Sequence, residues 1–314
     1  MKVYAPSQFG RVAVLYGGLS PEREVSLTSG NTLLSALQRA GVDAFGIDVG
    51  ENLIEQLQQS PSDMVFSVLH SGQGEDGTVQ ALLELMGLPY PGSGVAACAL
   101  AMDKWRSKLL WKASDLPVLP AIFLTPGDDY QHVADVIDLP YCVKPCSAGS
   151  TIGISWVKRL DELPEAVAKA RQYSSNIIIE PFVVGREFTV GIVQDQVLPV
   201  LEITTPQGFY DYDAKYHSSD TKFHCPADLS KEKAEQIQDI AWRAFMAIAG
   251  EGWGRIDFMQ DKAGQFWILE MNPLPGMTPR SDIPIAAQAL GWSYEEVAIK
   301  ILSSAKMTTT SSIC

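Results

Sequence analysis

The sequence predicts an α/β protein with a small parallel sheet in its N-terminal third and a β-hairpin near its C-terminal end. In the N-terminal third, short apolar runs alternate with amphipathic stretches, an order that is typical of βα units in a parallel sheet. The hairpin is indicated by two alternating segments, 254–259 and 265–271, joined by a turn at 261–264. A chain of 314 residues is long enough to form two or three compact modules, each with its own core.

The composition argues against several classes of protein. With 46% hydrophobic and 19% charged residues, the chain has the balance of a soluble globular protein. Its net charge of -13 disfavours a nucleic-acid or anionic-membrane surface, because such surfaces need clustered Lys and Arg. The five cysteines are scattered without a C-x-x-C pair, which favours free thiols in a reducing compartment over disulfides or a zinc site. Because the first apolar run is interrupted and no segment reaches the length of a membrane span, we expect a cytoplasmic protein.

Three strands separated by helices are expected in the N-terminal region. The apolar run RVAVLY ends at Gly17 and Gly18, and the following Ser20 and Pro21 indicate the N-cap and first position of a helix. A dinucleotide-binding turn is rejected because the sequence lacks G-x-G-x-x-G. The other strands and the third helix are expected at 42–48, 63–69 and 78–86.

A glycine-rich loop, HSGQGEDGT at 70–78, follows the third strand. Loops at the carboxyl ends of parallel strands are where α/β domains bind ligands. The residue that opens this loop, His70, fits either a structural role or a place near a substrate.

The middle of the chain contains a candidate phosphate-binding loop. A strand at 139–145 carries Lys144, and CSAGSTIG at 146–153 then supplies backbone amides and hydroxyls beside this lysine. This is phosphate-binding chemistry without a Walker A sequence, although an ordinary Gly/Ser hairpin has the same composition. The neighbouring elements are expected as helices at 95–102 and 161–173, strands at 154–158 and 176–180, and a proline-containing linker at 116–126.

The segment 204–225, TTPQGFYDYDAKYHSSDTKFHC, has neither a helix nor a strand period and is long for a loop in a compact domain. Its aromatic residues favour a lid that becomes ordered over a ligand rather than permanent disorder. The chain then continues with helices expected at 230–249, 284–290 and 293–303 and ends in a polar tail.

The hairpin is the strongest candidate for a metal site. Asp257 lies on its first strand, and Glu270 and Asn272 lie two residues apart on its second, so that their side chains share a face. Such hard oxygen donors suit Mg²⁺, and Arg255 adds a positive charge on the same face. A surface hairpin with solvated acids has the same alternation. The rigid turn PLPG that follows favours the site, because a sheet alone does not need it.

Several segments resemble the ATP-grasp ligases, and in particular the D-alanine–D-alanine ligase family. They include LHSGQGEDGT, MDK at 102–104 and RIDFM…LEMNPLPGMT in the hairpin, and they follow the family's order over about residues 10–303. The resemblance implies a three-domain ATP-grasp fold in the α/β class. Its parts would be an N-terminal parallel α/β (pre-ATP-grasp) substrate domain at 1–103, a central lobe at 104–184, a C-terminal lobe at 185–304 with the lid 204–225, and a flexible tail at 305–314.

The resemblance also implies a function. Family members phosphorylate one D-alanine with ATP and join the acyl phosphate to a second D-alanine, releasing ADP and phosphate, in the synthesis of bacterial peptidoglycan precursors. ATP and D-alanine would be the partners, with two Mg²⁺ or Mn²⁺ ions, and the family is commonly a homodimer. A ligase that uses D-lactate as the acceptor and a nucleotide-binding regulatory protein without turnover are the alternatives. The A-K-Y sequence at 214–216 argues against the first, and the intact hairpin residues argue against the second.

The resemblance assigns roles to individual residues. Three would form a catalytic triad, namely Glu22, Ser150 and Tyr216, while Arg255 and the amide of Gly276 would stabilise an oxyanion and Ser281 would hold the acceptor carboxylate. His70 would lie near the first substrate. The residues implied for ATP binding are Lys104, Lys144, Thr151, Glu180, Phe182, Val183, Glu187, Phe209, Lys215 and Leu269. The residues implied for metal binding are Asp257, Glu270 and Asn272.

Three departures from the family pattern lie around the predicted site. Ser147-Ala148 replaces a basic-acidic pair in the phosphate loop, and Pro273-Leu274 replaces a common Thr-Ser pair after the metal ligands. Asp282 follows Ser281 where a more apolar residue is common. Its negative charge would be unfavourable beside a carboxylate pocket unless it points away or pairs with Arg280.

Overall fold

The computed structural model describes residues 5–130, 132–147, 149, 151–205 and 221–306. Its strands form three sheets, and each sheet lies within one of the ranges expected for the N-terminal domain, the central lobe and the C-terminal lobe. The N-terminal sheet is parallel and the other two are antiparallel. The domain limits themselves stay a prediction.

The N-terminal sheet is covered on both faces. Its elements are β1 (Arg11–Gly17), α1 (Arg23–Arg39), β2 (Asp43–Val49), α2 (Leu53–Gln59), β3 (Met64–Ser67), α3 (Thr78–Met86) and α4 (Val95–Ala101). The strand order is β2-β1-β3. Val12 and Val14 pack into the core on one face, and Ala13 and Leu15 pack into the core on the other. The run RVAVLY is therefore unbroken because both faces of a parallel strand are buried.

Helix α1 begins at Arg23 rather than at Pro21, so the predicted start was wrong. Ser20, the predicted N-cap, donates its hydroxyl to the carbonyl oxygen of His70 at 2.6 Å and accepts the Glu22 amide at 3.2 Å. Glu22 takes the N-cap position instead. The start of α1 is thus joined to the glycine-rich loop.

The central lobe contains a four-stranded sheet in the order β4-β7-β5-β6. Its elements are α5 (Lys104–Ala113), β4 (Ile122–Leu124), α6 (Val133–Val136), β5 (Tyr141–Pro145), β6 (Ser155–Val157), α7 (Leu163–Ala170) and β7 (Ile177–Pro181). Helix α7 is shorter than the predicted 161–173, because the Glu162 carboxylate accepts the amides of Lys158 and Arg159 and Leu160–Glu162 forms a 3-10 turn. Helix α5 reaches the C-terminal lobe, where the indole of Trp111 donates to the Ala244 carbonyl at 2.9 Å.

The C-terminal lobe is built on strands ordered β11-β10-β8-β12-β13, with β9 paired to β8. Its elements are β8 (Gly185–Val193), β9 (Gln196–Val197), β10 (Leu201–Thr204), β11 (Lys222–His224), α8 (Lys231–Ala247), β12 (Trp253–Asp261), β13 (Phe266–Asn272), α9 (Asp282–Gln288) and α10 (Tyr294–Leu302). The ends of the predicted lid 204–225 are paired strands, with Thr204 opposite Lys222, so the expectation of no strand there was wrong. Residues 206–220 of the lid and 307–314 of the tail lie outside the described residues.

The predicted hairpin is confirmed; its first strand is longer than expected, and its second strand is shifted by one residue along the chain. Asp261 closes the turn, since its Oδ1 accepts the amides of Ala263 and Gln265 and its Oδ2 accepts the indole N–H of Trp267, all at 2.9 Å. These hydrogen bonds, chiefly that from Trp267, hold the pKa of Asp261 below its usual value. At the other end of the hairpin, the ring of Trp253 meets the ring of Phe66 edge to face, with centroids 6.0 Å apart. The hairpin is therefore fixed against the N-terminal sheet.

Candidate active site

The register of β12 and β13 brings the predicted metal ligands together. Arg255 lies opposite Asn272, and Asp257 lies opposite Glu270. The register shifts after Asp257, so that Phe258 pairs with Ile268 and Leu269 is the extra residue of a bulge. Directly opposed side chains in an antiparallel pair have Cβ atoms about 5 Å apart on one face. The shared face predicted from the alternation is thus present.

Arg255 is a buried guanidinium shared by two carboxylates. Its Nε and Nη2 donate to Oδ1 and Oδ2 of Asp257, each at 2.8 Å, and its Nη1 donates to Oδ2 of Asp282 at 2.6 Å. The hydroxyl of Thr189 also donates to Oδ1 of Asp257 at 2.7 Å. Asp282 therefore pairs with Arg255, where the sequence analysis considered Arg280 as its partner. The guanidinium links the hairpin to the first residue of α9.

The donors of the hairpin fit a hard divalent cation. Two carboxylates and one amide oxygen share the face, and Asn272 Oδ1 is oriented by the Leu274 amide at 3.1 Å. A cationic group already contacts Glu270, because Lys104 Nζ lies 2.8 Å from its Oε2. No group of three or more His, Cys, Asp or Glu side chains in the described ranges is arranged to hold a metal. Two carboxylates with an amide suit Mg²⁺ that also binds substrate phosphates, rather than a full protein cage.

Lys104, Arg255, Asp257, Glu270 and Asp282 are called the hairpin cluster below. A second group, the lobe cluster, consists of Lys108 on α5, Lys144 on β5 and Glu180 on β7. Lys108 Nζ lies 2.5 Å from Glu180 Oε1, and Lys144 Nζ lies 2.6 Å from Glu180 Oε2. All three side chains are buried, and Glu180 is 0% exposed.

Burial and charge act against each other in the lobe cluster. Burial alone would raise the pKa of Glu180, but the two ammonium groups lower it below its usual value. Burial opposes the charge of Lys144, yet Glu180, together with Cys142 and Glu270, raises the pKa of that lysine. Burial lowers the pKa of Lys108, an effect that Glu180 opposes. The sequence prediction missed Lys108. Its four-residue spacing from Lys104, which puts both on one helix face, was the available signal.

The segment between the lobes follows the lobe cluster directly. Phe182 donates its amide to the Pro140 carbonyl at 2.8 Å, and its ring stacks on Trp156 with centroids 4.4 Å apart. Pro181 has no backbone N–H, so the backbone amide of Val183 stays the predicted donor to the purine. Glu187, predicted to hold the ribose, lies on β8 opposite Met259 of the hairpin.

Glu22 lies where the N-terminal domain meets the phosphate loop. Its carboxylate accepts the hydroxyl of Ser71, a residue that the sequence prediction missed. Ser71 has a φ of 59°, an uncommon backbone conformation for a residue other than glycine. A Cβ placed on Gly149 would lie 3.2 Å from Ser71 Oγ and 3.9 Å from Glu22 Oε2. The loop that carries the predicted phosphate ligands therefore reaches Glu22.

His70 is buried and joined to the turn that follows the hairpin. Its Nε2 lies 3.3 Å from Ser29 Oγ, which also accepts the Met277 amide at 3.4 Å. On its other side, Nδ1 lies 3.8 Å from Glu75 Oε1, and burial raises the pKa of this glutamate. These contacts hold the imidazole beside the segment that contains Gly276.

The acceptor side is formed by Gly276 and Ser281. Ser281 Oγ accepts the Thr278 amide at 3.0 Å and lies 2.9 Å from the Thr278 hydroxyl. A Cβ on Gly276 would lie 2.9 Å from Ser281 Oγ, so that only glycine fits without displacement. The residue predicted to stabilise the oxyanion and the residue predicted to hold the acceptor carboxylate are thus adjacent.

The remaining predicted residues belong to the phosphate loop and the lid. Thr151 is described and has a φ of 62° in the phosphate loop. The residues Ser150, Phe209, Lys215 and Tyr216 lie outside the described residues.

Comparison with protein families matches two parts of the chain. The model described as D-ala D-ala ligase C-terminus matches residues 110–303, and the one described as D-ala D-ala ligase N-terminus matches residues 48–93. This chain belongs to the D-alanine–D-alanine ligase family. The fold is the ATP-grasp fold that the resemblance implied, and this chain forms it with the three sheets described above.

Curated relatives match nearly the whole chain. The D-alanine–D-alanine ligase of Alkalilimnicola ehrlichii is 46% identical over 293 residues, covering 93% of this chain and 94% of that protein. The enzyme of the same name from Ectopseudomonas mendocina is 47% identical over 298 residues, covering 95% of each chain. The family assignment therefore includes the hairpin, the phosphate loop and the glycine-rich loop.

Solved structures of the family have the same architecture. The D-alanine–D-alanine ligase from Bacillus anthracis complexed with ATP superposes with a TM-score of 0.84 at 30% identity, covering 94% of this chain and 97% of that one. The VanG D-Ala:D-Ser ligase from Enterococcus faecalis superposes with a TM-score of 0.82 at 27% identity, covering 93% and 98%. In the described part of this chain, no helix is long and apolar enough to cross a membrane.

Proposed function

We propose that this chain ligates two D-alanine molecules to D-alanyl-D-alanine, with ATP as co-substrate and ADP and phosphate as products, for bacterial peptidoglycan precursor synthesis. The observation that carries the proposal is the convergence of oxygen donors and a buried guanidinium on one hairpin face, beside lysines of the central lobe. Family membership at 46% identity over 93% of the chain supports the same function.

ATP would bind between the central and C-terminal lobes. Lys104, Lys144 and Thr151 of the described residues would hold its phosphates, together with Ser150 and Lys215 from the predicted set. The purine would lie along Glu180, Phe182 and Val183, with Phe209 and Leu269 beside it and Glu187 at the ribose. Lysine ammonium groups bind phosphate as point charges, so the positions of these lysines would determine where the triphosphate lies between the two lobes.

The metal ligands would be Asp257, Glu270 and Asn272, holding two Mg²⁺ or Mn²⁺ ions. When bound, these ions would neutralise phosphate charge and orient the phosphoryl group. Arg255 and Thr189 fix the Asp257 carboxylate, and the Leu274 amide fixes Asn272, so that the donors are oriented in advance.

In the first step, a carboxylate oxygen of the first D-alanine attacks the γ-phosphorus of ATP. A C–O–P linkage forms, the bond between the γ-phosphorus and its bridging oxygen breaks, and ADP leaves with the electron pair. This activation is needed because a free carboxylate has no good leaving group. Glu22 and His70 would position the first D-alanine, with Glu22 near its ammonium group, and Ser150 and Tyr216 would complete the predicted triad.

In the second step, the amine of the second D-alanine attacks the acyl carbon and forms a C–N bond. The tetrahedral oxyanion would be stabilised by Arg255 and the Gly276 amide, after which the C–O bond breaks and phosphate leaves. The amine proton passes to solvent or phosphate. Ser281, held by Thr278, would bind the acceptor carboxylate. The lid at 204–225 would exclude water, which would otherwise hydrolyse the acyl phosphate.

Phosphate release with different acceptors tests the proposal. Purified protein is incubated with ATP, Mg²⁺ and D-alanine alone, D-alanine plus D-lactate, D-alanine plus D-serine, or L-alanine, and the ligated product is identified by mass spectrometry. We expect ATP-dependent release with D-alanine alone and the dipeptide as the product. No release with D-alanine would contradict the proposal, and product only with D-lactate or D-serine would assign a different acceptor.

The resemblance also predicts a homodimer, and the sequence itself predicts a cytoplasmic location. Light scattering after size-exclusion chromatography measures the mass in solution, and a mass of one chain would contradict the dimer. Fractionation of the source cell tests the location.

A further inference from the structure

Lys108 is a buried cation for which the proposed mechanism has no direct use. Its side chain is 3% exposed, and its ammonium lies 2.5 Å from Glu180 Oε1. The other oxygen of Glu180 lies 2.6 Å from the ammonium of Lys144. One carboxylate thus holds two ammonium groups, one of which belongs to a residue predicted to bind the phosphates of ATP.

The lobe cluster is held by short contacts between opposite charges. Within the described part of the chain, Lys108 Nζ and both Glu180 oxygens are enclosed and have no hydrogen-bond partner of good geometry. The short N–O contacts are therefore ion pairs, and each charge is compensated by the others. Removal of one partner from such a buried group leaves an uncompensated charge, which is strongly unfavourable.

The two lysines have different surroundings. Lys144 is influenced by Glu270 of the hairpin cluster as well as by Glu180, which places it between the lobe cluster and the metal side of the site. Lys108 is influenced by Glu180, Lys144 and Cys142, all within the central lobe. Lys144 is therefore the lysine that we expect to shift towards a nucleotide phosphate. When it does, Glu180 loses part of its compensation while staying buried.

We propose that Lys108 is a positioning residue for nucleotide binding: it keeps Glu180 ionised and in place, so that Lys144 can engage the phosphates of ATP. This inference rests on the proposed function. Lys108 does not touch the nucleotide, and its charge becomes essential when ATP draws Lys144 away from Glu180. With Lys108 in place, the lobe cluster has one positive charge in excess, which suits a phosphate ligand.

The first test separates this role from simple packing. The variant K108M keeps the apolar stem and removes the charge, and K112M, at an exposed lysine on the same helix, is the matched control. We expect K108M to raise the KM for ATP and the Kd for ADP by at least about tenfold, with kcat lowered by less than about threefold. K112M and K108R should stay within about threefold of the wild type for both constants.

The second test measures the uptake of protons on ADP binding. A packing defect alone would not change this uptake. In K108M, binding of ADP should leave Glu180 without a counter-ion, so that it takes up a proton and the binding enthalpy depends on the ionisation enthalpy of the buffer. Calorimetry in two buffers at about pH 7 detects this uptake. Wild-type protein and K112M should show less buffer dependence than K108M.

A double-mutant cycle completes the design. In the E180Q background no carboxylate needs compensation, so K108M should change the Kd for ADP by less than about threefold. If K108M alone fails to fold, the comparison of E180Q with K108M/E180Q takes its place. Wild-type affinity in K108M, or a further tenfold loss in K108M/E180Q relative to E180Q, would overturn the inference. Wild-type protein that binds no ADP or ATP would instead contradict the proposed function.

Discussion

The hairpin cluster and the lobe cluster carry opposite excess charge, although they lie within electrostatic range of one another. The hairpin cluster has three carboxylates and two cationic groups, and the lobe cluster has one carboxylate and two cationic groups. The hairpin cluster is also the more accessible at Glu270, whose side chain is 27% exposed, whereas Glu180 is 0% exposed.

The difference in excess charge between the two clusters matches the metal and the phosphates of a metal–ATP complex. An excess of carboxylate favours a divalent cation, and an excess of ammonium favours phosphate, so that a metal–ATP complex would be bound with its metal towards the hairpin. The exposed fraction matters as well, since a metal ion would enter from solvent at Glu270, whereas Lys108 and Glu180 are buried. The comparison predicts that charge changes in the hairpin cluster alter chemistry more than those in the lobe cluster.

The largest effect is expected from Glu270→Gln. The substitution keeps the shape of the side chain and removes one of the two metal-binding carboxylates, so we expect turnover to fall by at least about a thousandfold. Phosphate release is measured across a range of Mg²⁺ and Mn²⁺ concentrations. The exposed Glu235→Gln is the matched control and should keep full activity. Full activity in Glu270→Gln would remove this residue from the metal site.

A smaller but still large loss is expected from Arg255→Lys. Lysine keeps the charge but cannot contact Asp257 through two nitrogens while also reaching Asp282. We expect kcat to fall by about a hundredfold, with the KM for ATP changing by less than about threefold. Steady-state kinetics with ATP varied at saturating D-alanine separate the two constants. A rise in KM alone would place Arg255 in nucleotide binding rather than at the oxyanion.

The ease of sequence-based prediction differs between the same two clusters. In the hairpin, alternation fixes which side chains share a face, so the set Arg255, Asp257, Glu270 and Asn272 follows from a local pattern. In the lobe cluster, Lys108 comes from a helix, and its partner Glu180 lies more than 70 residues further along the chain, on a strand that pairs with the strand of Lys144. The four-residue spacing from Lys104 puts both lysines on one helix face, but it does not show that Lys108 is buried, because lysine on a helix is usually solvated.

The prediction of the fold also succeeded where the signals are local and failed where contacts between distant residues decide. The parallel sheet and the hairpin were predicted, since strand periodicity and glycine turns are local signals. The start of α1 was predicted wrongly because Ser20 is engaged by His70, a contact across 50 residues of sequence. Likewise, Asp282 contacts Arg255 across 27 residues, so that its role could be seen only in the structure.

Asp282→Asn tests how the negative charge of the hairpin cluster affects binding of the acceptor. The variant keeps an oxygen for Arg255 and removes the negative charge next to Ser281, where the acceptor carboxylate is proposed to bind. We expect the KM for the second D-alanine to fall by about threefold to tenfold, with a larger change at low salt. The measurement varies D-alanine at saturating ATP, and Asp282→Glu is the control that keeps the charge. A rise in this KM would instead assign the Asp282 carboxylate to the acceptor ammonium.

The smallest effect is expected from Thr189→Val, which tests how far the hydroxyl of Thr189 fixes the Asp257 carboxylate. The hydroxyl of Thr189 is buried and donates to Oδ1 of Asp257, an oxygen that also accepts from Arg255. Because the guanidinium still holds both oxygens, we expect kcat to change by less than about threefold and the free energy of unfolding to fall by about 1 kcal/mol. Urea denaturation and steady-state kinetics measure the two quantities. A loss of activity as large as that of Arg255→Lys would mean that the orientation of Asp257, rather than a contact of the Arg255 guanidinium with the oxyanion, limits the chemistry.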